Sequence, residues 1–351
     1  MTDAFTYTGS PAHIVFGPGK RRSVGEWIER LGCSRALVLT TPAQADAGRQ
    51  LAGELGVLAA GLFSGAAMHT PVDVTEKAMQ ALTEAGADCL VALGGGSTTG
   101  LGKALTYRTD LPQIVVPTTY AGSEVTPILG QTEKGAKTTL RDPRVLPEVV
   151  IYDPELTLGL PVGMSVTSAL NAVAHAAEGL YAEDRNPIST LIAVEGMRAI
   201  REGLPVIVAD PANGAARADA LYGSWLCGTV LGTVGMALHH KICHTLGGSF
   251  DTPHAETHAI MLPHTVAYNA EAVPELLAPV TELFGSSPGG GLYDFAASIG
   301  APQRLKDLGL NEADLDRAAE MATKSPYWNP RPIDRPSMRK LLQDAWEGRR
   351  P

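Results

Sequence analysis

Five short apolar runs, separated by stretches with helical spacing, constrain this chain more than any other feature. Ala36–Thr40, Ala59–Phe63, Cys89–Leu93, Gln113–Pro117 and Val149–Asp153 read as strands, with helices expected at Gln44–Leu55 and Val72–Ala85. A strand with one wet face alternates polar and apolar residues; runs such as ALVLT and CLVALGG do not. Strands covered on both faces and alternating with helices make a parallel sheet. An α/β fold is therefore expected for the N-terminal part. Ahead of it, residues 5–16 hold two β-prone runs around Gly9-Ser10-Pro11, which predicts a ribbon or edge hairpin, and Val24–Leu31 reads as a helix.

Beyond Pro161 the pattern changes. Met164–Ala182, Pro187–Gly203, Arg217–Val234, Ala272–Phe284 and Arg335–Trp346 read as helices, and no strand is expected. Breaks are expected at Pro205, Pro211, Gly285–Gly291 and Pro326–Pro336. Two domains follow: an α/β domain over 1–160 and an all-α domain over 161–351.

Charge and cysteine usage narrow the function. A formal charge of −9 and a pI near 5.5 argue against nucleic acid as a partner. No apolar run approaches the roughly 20 residues of a spanning helix, and Met1–Ser10 lacks a secretory leader, so no membrane partner is expected. The four cysteines are scattered without a C-x-x-C, which disfavours a disulfide framework or zinc knuckle and fits a cytoplasmic location.

Three stretches carry chemistry. Gly94-Gly95-Gly96-Ser97 follows a strand and precedes an expected helix, Thr98–Leu105. There glycines let backbone approach a pyrophosphate, and Ser97 can cap the free amides. A second loop, Pro117-Thr118-Thr119-Tyr120-Ala121-Gly122-Ser123-Glu124, leaves the carboxyl end of another strand, where open α/β sheets bind ligands. The third, His239–His264, holds six of the nine histidines, at 239, 240, 244, 254, 258 and 264. His240 and His244 are four apart, as are His254 and His258, so on a helix each pair shares a face. Such a cluster suits proton transfer or metal ligation.

With FGPG at 16–19, GGGSTTGLGK at 94–103, PTTYAGSE at 117–124, VIYDPEL at 150–156, NAVAHAAEGLYA at 171–182 and the histidine segment, the chain resembles the iron-containing alcohol dehydrogenase superfamily, and within it the maleylacetate reductases. The resemblance implies the dehydroquinate synthase-like fold, an α/β dinucleotide-binding domain followed by a helical catalytic one. It also implies reduction of the conjugated double bond of maleylacetate, a small dicarboxylate, to 3-oxoadipate with NADH or NADPH. Gly95, Gly96, Ser97, Thr118, Thr119 and Lys137 are then expected at the cofactor. Thr41 stands where NADH-selective relatives carry an acid, so dual cofactor use is expected.

Metal-dependent members of the superfamily use an aspartate and three histidines, matched here by Asn171, His175, His240 and His254. Asn171 replaces the anionic ligand, and the site is expected to need no metal. His244, matching a histidine beside the nicotinamide, is then the leading acid or enolate stabiliser, supported by His240 and His254. His175 and Asn171 would orient substrate, and Lys241 would supply positive charge. Two competing readings share the motifs: a metal-dependent (iron or zinc) alcohol or polyol dehydrogenase, and a lyase resembling dehydroquinate synthase. A homodimer is expected, on the ground that the N-terminal ribbon invites pairing.

Overall fold

The computed structural model describes residues 5–9, 12–133, 136–324 and 327–351. They fall into two compact units: Ser10–Leu160, and Pro161–Pro351 together with residues 5–9.

In the first unit the elements run β1 (His13–Phe16), α1 (Val24–Arg30), β2 (Ala36–Leu39), α2 (Ala45–Leu55), β3 (Ala59–Phe63), α3 (Val72–Ala85), β4 (Cys89–Gly94), α4 (Gly96–Thr109) and β5 (Gln113–Pro117). After these come β6 (Ile128–Glu133), β7 (Ala136–Arg141) and β8 (Val149–Tyr152). Six strands form a wholly parallel sheet in the order β1-β8-β5-β4-β2-β3. Successive side chains on a strand point to opposite faces, and here both faces are covered. Val38, Val91, Val116 and Ile151 pack with Val24, Ile28 and Leu51 on one side. Leu37, Leu39 and Leu90 meet Ala78, Leu82, Leu101 and Leu105 on the other. That is why these strands read as unbroken apolar runs.

The described residues of the stretch 5–16, namely 5–9 and 12–16, do not pair as the expected hairpin. Only His13–Phe16 is a strand, and it pairs in parallel with β8, His13 opposite Val149. Residues 5–9 have no regular structure and group with the helical unit. The ground offered for a dimer therefore falls. A ribbon does exist, but elsewhere: β6 and β7 pair antiparallel, with Thr132 opposite Lys137.

β2 lies between β3 and β4, so the strand order reverses there and the carboxyl ends of β2 and β4 flank a crevice. One buried cation ties α4 to the loop that follows β5 at this rim. Lys103, fully enclosed on α4, donates to Ser123 O at 2.6 Å, Thr126 O at 2.7 Å, Ile128 O at 2.9 Å and Thr126 Oγ1 at 3.0 Å. Burial pushes its ammonium down to about 7, and buried Glu124 opposes that shift. Four oxygen acceptors around one nitrogen favour the charged form.

The second unit holds α5 (Val162–Gly179), α6 (Pro187–Ala209), α7 (Gly214–Thr233), α8 (Leu238–Phe250), α9 (His254–Ala270), α10 (Ala278–Phe284), α11 (Pro288–Ser298), α12 (Leu315–Thr323) and α13 (Arg335–Glu347). None is long and apolar enough alone to cross a membrane. Leu238, Ile242 and Leu246 of α8 pack with Ile260 and Met261 of α9, Leu315 and Ala319 of α12, and Met338 and Leu342 of α13.

One expected break is not a break. α6 runs through Pro205, because Arg201, whose carbonyl the proline leaves without a donor, and Pro205 itself are both exposed to water. The break expected at Gly285–Gly291 falls at residues 285–287, between α10 and α11; Gly289, Gly290 and Gly291 lie in the first turn of α11, with Ser287 accepting from Gly290 N at 3.1 Å. A Cβ on Gly291 would lie 2.1 Å from Gly285 O, so this glycine permits a close backbone approach. Conversely, the helix expected over Ala272–Phe284 is confined to Ala278–Phe284.

Replacing Lys103 by methionine would leave three carbonyls and a hydroxyl without their shared donor, beside a buried Glu124. We expect a loss on the order of 3–5 kcal/mol, read as a lowered midpoint in thermal unfolding followed by circular dichroism. An unchanged midpoint would sink this account of the rim.

Candidate active site

Each unit presents one constellation. In the first, α4 begins at Gly96 with Gly95 as its N-cap, and no side chain caps its amides. Ser97 lies within the first turn and does not cap it, contrary to expectation. The amino end of a helix carries partial positive charge and free N–H groups, a place for an anion. The surroundings leave that place open: a Cβ on Gly96 would meet nothing within 4 Å, while one on Gly95 would lie 2.8 Å from the Thr119 methyl. Gly94, at φ +154°, has backbone that side chains rarely adopt, and its Cβ would strike Thr98 and Gln44.

Gln44, which the sequence did not single out, links the rim. Its amide donates to Thr118 Oγ1 at 2.9 Å, and its Oε1 accepts from Thr41 Oγ1 at 3.3 Å. Thr41, Thr118, Thr119, Gly95, Gly96 and Ser97 thus lie around one strand switch. Lys137 falls in β7; its side chain lies outside the described residues.

In the second unit the histidine segment forms α8 and α9. Asn171, His175 and Glu178 of α5 lie at i, i+4 and i+7, on one face. Glu178, missed from sequence, is the organising group. Its carboxyl sits at the amino end of α8, accepts from His239 N at 2.8 Å and bonds to His240 Nδ1. Burial pushes Glu178 up to about 8, against the pull of the helix amides, and burial holds His240 down to about 3. Both shifts favour uncharged forms, so we read the contact as a shared proton and not as a full ion pair.

The bond continues. His240 Nε2 lies 2.9 Å from His175 Nδ1, and His175 Nε2 lies 3.4 Å from Asn171 Nδ2. An amide nitrogen only donates, so His175 Nε2 accepts and each imidazole passes its proton toward Glu178. Asn171 Oδ1 is buried with no hydrogen-bond partner. Rotating the amide would let the same residue accept, so asparagine can end the chain in either direction; a carboxylate could only accept.

A second chain backs the first. Thr265 Oγ1 gives its proton to the carbonyl of Met261 or Leu262, at 3.0 and 3.1 Å, and so accepts from His239 Nδ1 at 3.0 Å. His239 Nε2 therefore accepts from His258 Nδ1 at 3.0 Å, leaving His258 Nε2 a buried lone pair with no partner. Burial, then neighbouring imidazoles, keep His239 and His258 well below the ordinary histidine range. Cys243 Sγ stands 3.7 Å from His239 Nε2, and these three residues offer ligand atoms within 4.8 Å of one another. Cys33, Asp88 and Cys89 also converge, so cysteines scattered in sequence do gather polar neighbours in the fold.

The remaining expected residues divide. The ring of His254 stacks near His258, centroids 4.3 Å apart, and His258 lies 5.2 Å from His240. His244 sits one turn beyond His240, 5.8 Å between rings, with Nδ1 3.4 Å from Tyr327 Oη. Lys241 lies outside the hydrogen-bonded chain, its ammonium 5.8 Å from the Tyr327 ring. Arg331 and Arg335, not claimed for the site from the sequence, pair with Glu271 and Asp316, each at 2.9 Å. His264 packs by Tyr293 and belongs to neither chain.

Comparison with known proteins adds to this geometry. Residues 11–154 match the family described as iron-containing alcohol dehydrogenase, and residues 165–346 match the Fe-containing alcohol dehydrogenase family, C-terminal. The chain is 65% identical over 347 residues to maleylacetate reductase of Rhizobium sp. (strain MTP-10005), covering 99% of each. It is 54% identical over 345 residues to that of Sphingobium indicum, covering 98% of each. The crystal structure of maleylacetate reductase from Agrobacterium tumefaciens superposes with a TM-score of 0.97 at 64% identity, over 99% of this chain and 100% of that one.

Because space around Gly96 is open, Gly96→Val should fold normally yet fill the cradle. We expect an unchanged thermal midpoint and binding of a reduced nicotinamide dinucleotide weakened by about tenfold or more, measured by fluorescence titration. Equal affinity in the variant would remove the cradle from cofactor binding.

Proposed function

The chain belongs to the iron-containing alcohol dehydrogenase family, and from that premise we propose that it is a nicotinamide-dependent reductase of maleylacetate. The observation that carries the reading is likeness to maleylacetate reductases from end to end. A reduced nicotinamide dinucleotide, held at the Gly95–Gly96 cradle and the Thr118–Thr119 loop, would supply the hydride that the alkene carbon distal to the ketone needs. Negative charge then develops on the ketone oxygen as an enolate, and the carbon between must gain a proton to give 3-oxoadipate. In this reading His244 stabilises that oxygen or delivers the proton, as a group acting where charge develops. His240 and His254 support it, and Asn171 and His175 orient the substrate. Glu178 holds the imidazole chain in register.

We further read the site as working without metal. Supporting this, Asn171 stands where metal-dependent relatives carry aspartate and turns its amide nitrogen, a donor, toward His175. The His240 nitrogen a metal would take is engaged with His175; the Glu178 carboxyl on the other ring nitrogen is a partner that a metal-bound imidazole would also have, so it favours neither reading. With Asn171 in place of a carboxylate, the matching set offers no anionic ligand, which weakens its hold on a divalent ion. The protein should therefore carry well under one metal per chain by elemental analysis and keep its activity in EDTA. Asn171→Asp should raise its metal affinity. Stoichiometric iron or zinc, with activity lost to chelation and restored by the ion, is the outcome that overturns this reading.

Both reduced cofactors should serve. Thr41 can bond a ribose hydroxyl or a phosphate and repels neither; the next acid, Asp46, is exposed and paired with Arg49. Maleylacetate should thus consume NADH and NADPH with kcat/KM values within about tenfold, roughly 1.4 kcal/mol. A spectrophotometric assay at 340 nm decides both points, since absence of net cofactor oxidation would exclude the reductase.

A further inference from the structure

An open pocket of about 350 Å³ lies between α8 and the end of α12, wholly within the helical unit. Seven residues line it and none is acidic; two, Lys241 and Lys324, are cationic. In a chain of net charge −9 that wall composition is unusual. Among the described residues no carboxylate pairs with Lys241, whereas Lys324 is paired with Glu320 at 2.7 Å on the surface, where such a pair is worth little. Tyr327 joins the two sides. Its hydroxyl lies 3.4 Å from His244 Nδ1, and its ring lies beside the Lys241 ammonium. Burial, then Glu178, raise its phenol above the ordinary range, so it remains a hydroxyl donor.

We propose that this pocket binds one carboxylate of the dicarboxylate substrate, with Lys241 supplying the charge and the Tyr327 hydroxyl a hydrogen bond. The proposal rests on the reductase reading and adds to it a carboxylate subsite and Tyr327 as a residue that touches substrate. Three features fit a small anion: donors on the lining, a lysine that no carboxylate among the described residues pairs with, and a volume at the small-ligand end of the usual range of about 300–1,000 Å³. The position of the subsite also orients the reaction. Lys241 and His244 are three residues apart on α8, so a carboxylate held by Lys241 places the rest of a short chain against His244.

The test compares the natural protein, Lys241→Met, Lys241→Arg and Tyr327→Phe on maleylacetate and on its two monomethyl esters, with NADH binding followed separately by fluorescence. We expect Lys241→Met to raise KM for the diacid about tenfold or more, as loss of a charge-assisted bond does, with little change in kcat or in NADH affinity. Lys241→Arg should restore most of it, and Tyr327→Phe should move KM in the same direction by less. For one of the two esters, the one masking the carboxylate that reaches the pocket, the penalty of Lys241→Met should vanish. Equal penalties on the diacid and both esters, or a KM in Lys241→Met indistinguishable from that of the natural protein, would overturn the subsite. Those outcomes require an active natural protein. If the natural protein itself fails to oxidise NADH with maleylacetate, the reductase reading has failed, and the subsite with it.

Discussion

The helical unit is organised around a buried carboxyl at the amino end of a helix. Glu178 projects from α5 into the first turn of α8, satisfies the His239 amide there and bonds to His240 Nδ1. Burying an acid is unfavourable unless its oxygens find donors, and α8 provides them together with its dipole. The reverse dependence matters as much. Without Glu178, neither the entry of α8 nor the proton on His240 Nδ1 would be specified, and the order His240–His175–Asn171 would lose its anchor. A lone buried ionisable group thus couples a backbone problem, an uncapped helix, to a side-chain problem, the choice of imidazole tautomer.

The six clustered histidines are consequently not equivalent. His240 joins the chain that ends on Asn171 in α5. His239 and His258 form a parallel chain anchored on Thr265, and their low proton affinity leaves them as neutral spacers. His244 alone of the six faces the lysine-lined pocket. Neutral imidazoles packed together avoid the repulsion that several imidazoliums would create, which is why burial and mutual proximity shift His239 and His258 in the same direction.

What the sequence made legible follows from the range of the interactions involved. The strands of the parallel sheet were readable because both their faces are dry, a property written residue by residue. β1 was misjudged because what makes His13–Phe16 a strand is pairing with β8, more than a hundred residues away. The β6–β7 ribbon escaped notice because its faces are mixed: only Leu129 and Gln131 of β6 are buried, and no apolar run marks it. Glu178 had a signal, its spacing from Asn171 and His175, but an acid in an alanine-rich helix resembles an ordinary surface residue. Tyr327 had none, since nothing local ties it to a histidine 83 positions earlier.

Lys103 carries a consequence for how the first unit is assembled. Its ammonium must shed its water before the carbonyls of 123–128 can replace it, and those carbonyls lie in a loop made after α4. A chain emerging from the ribosome can form α4 early but cannot lock it to the rim until residue 128 has appeared. Without those carbonyls the charged end would be better left in water than buried. The same lysine that steadies the finished rim therefore makes the seating of α4 depend on a loop that follows it in the chain.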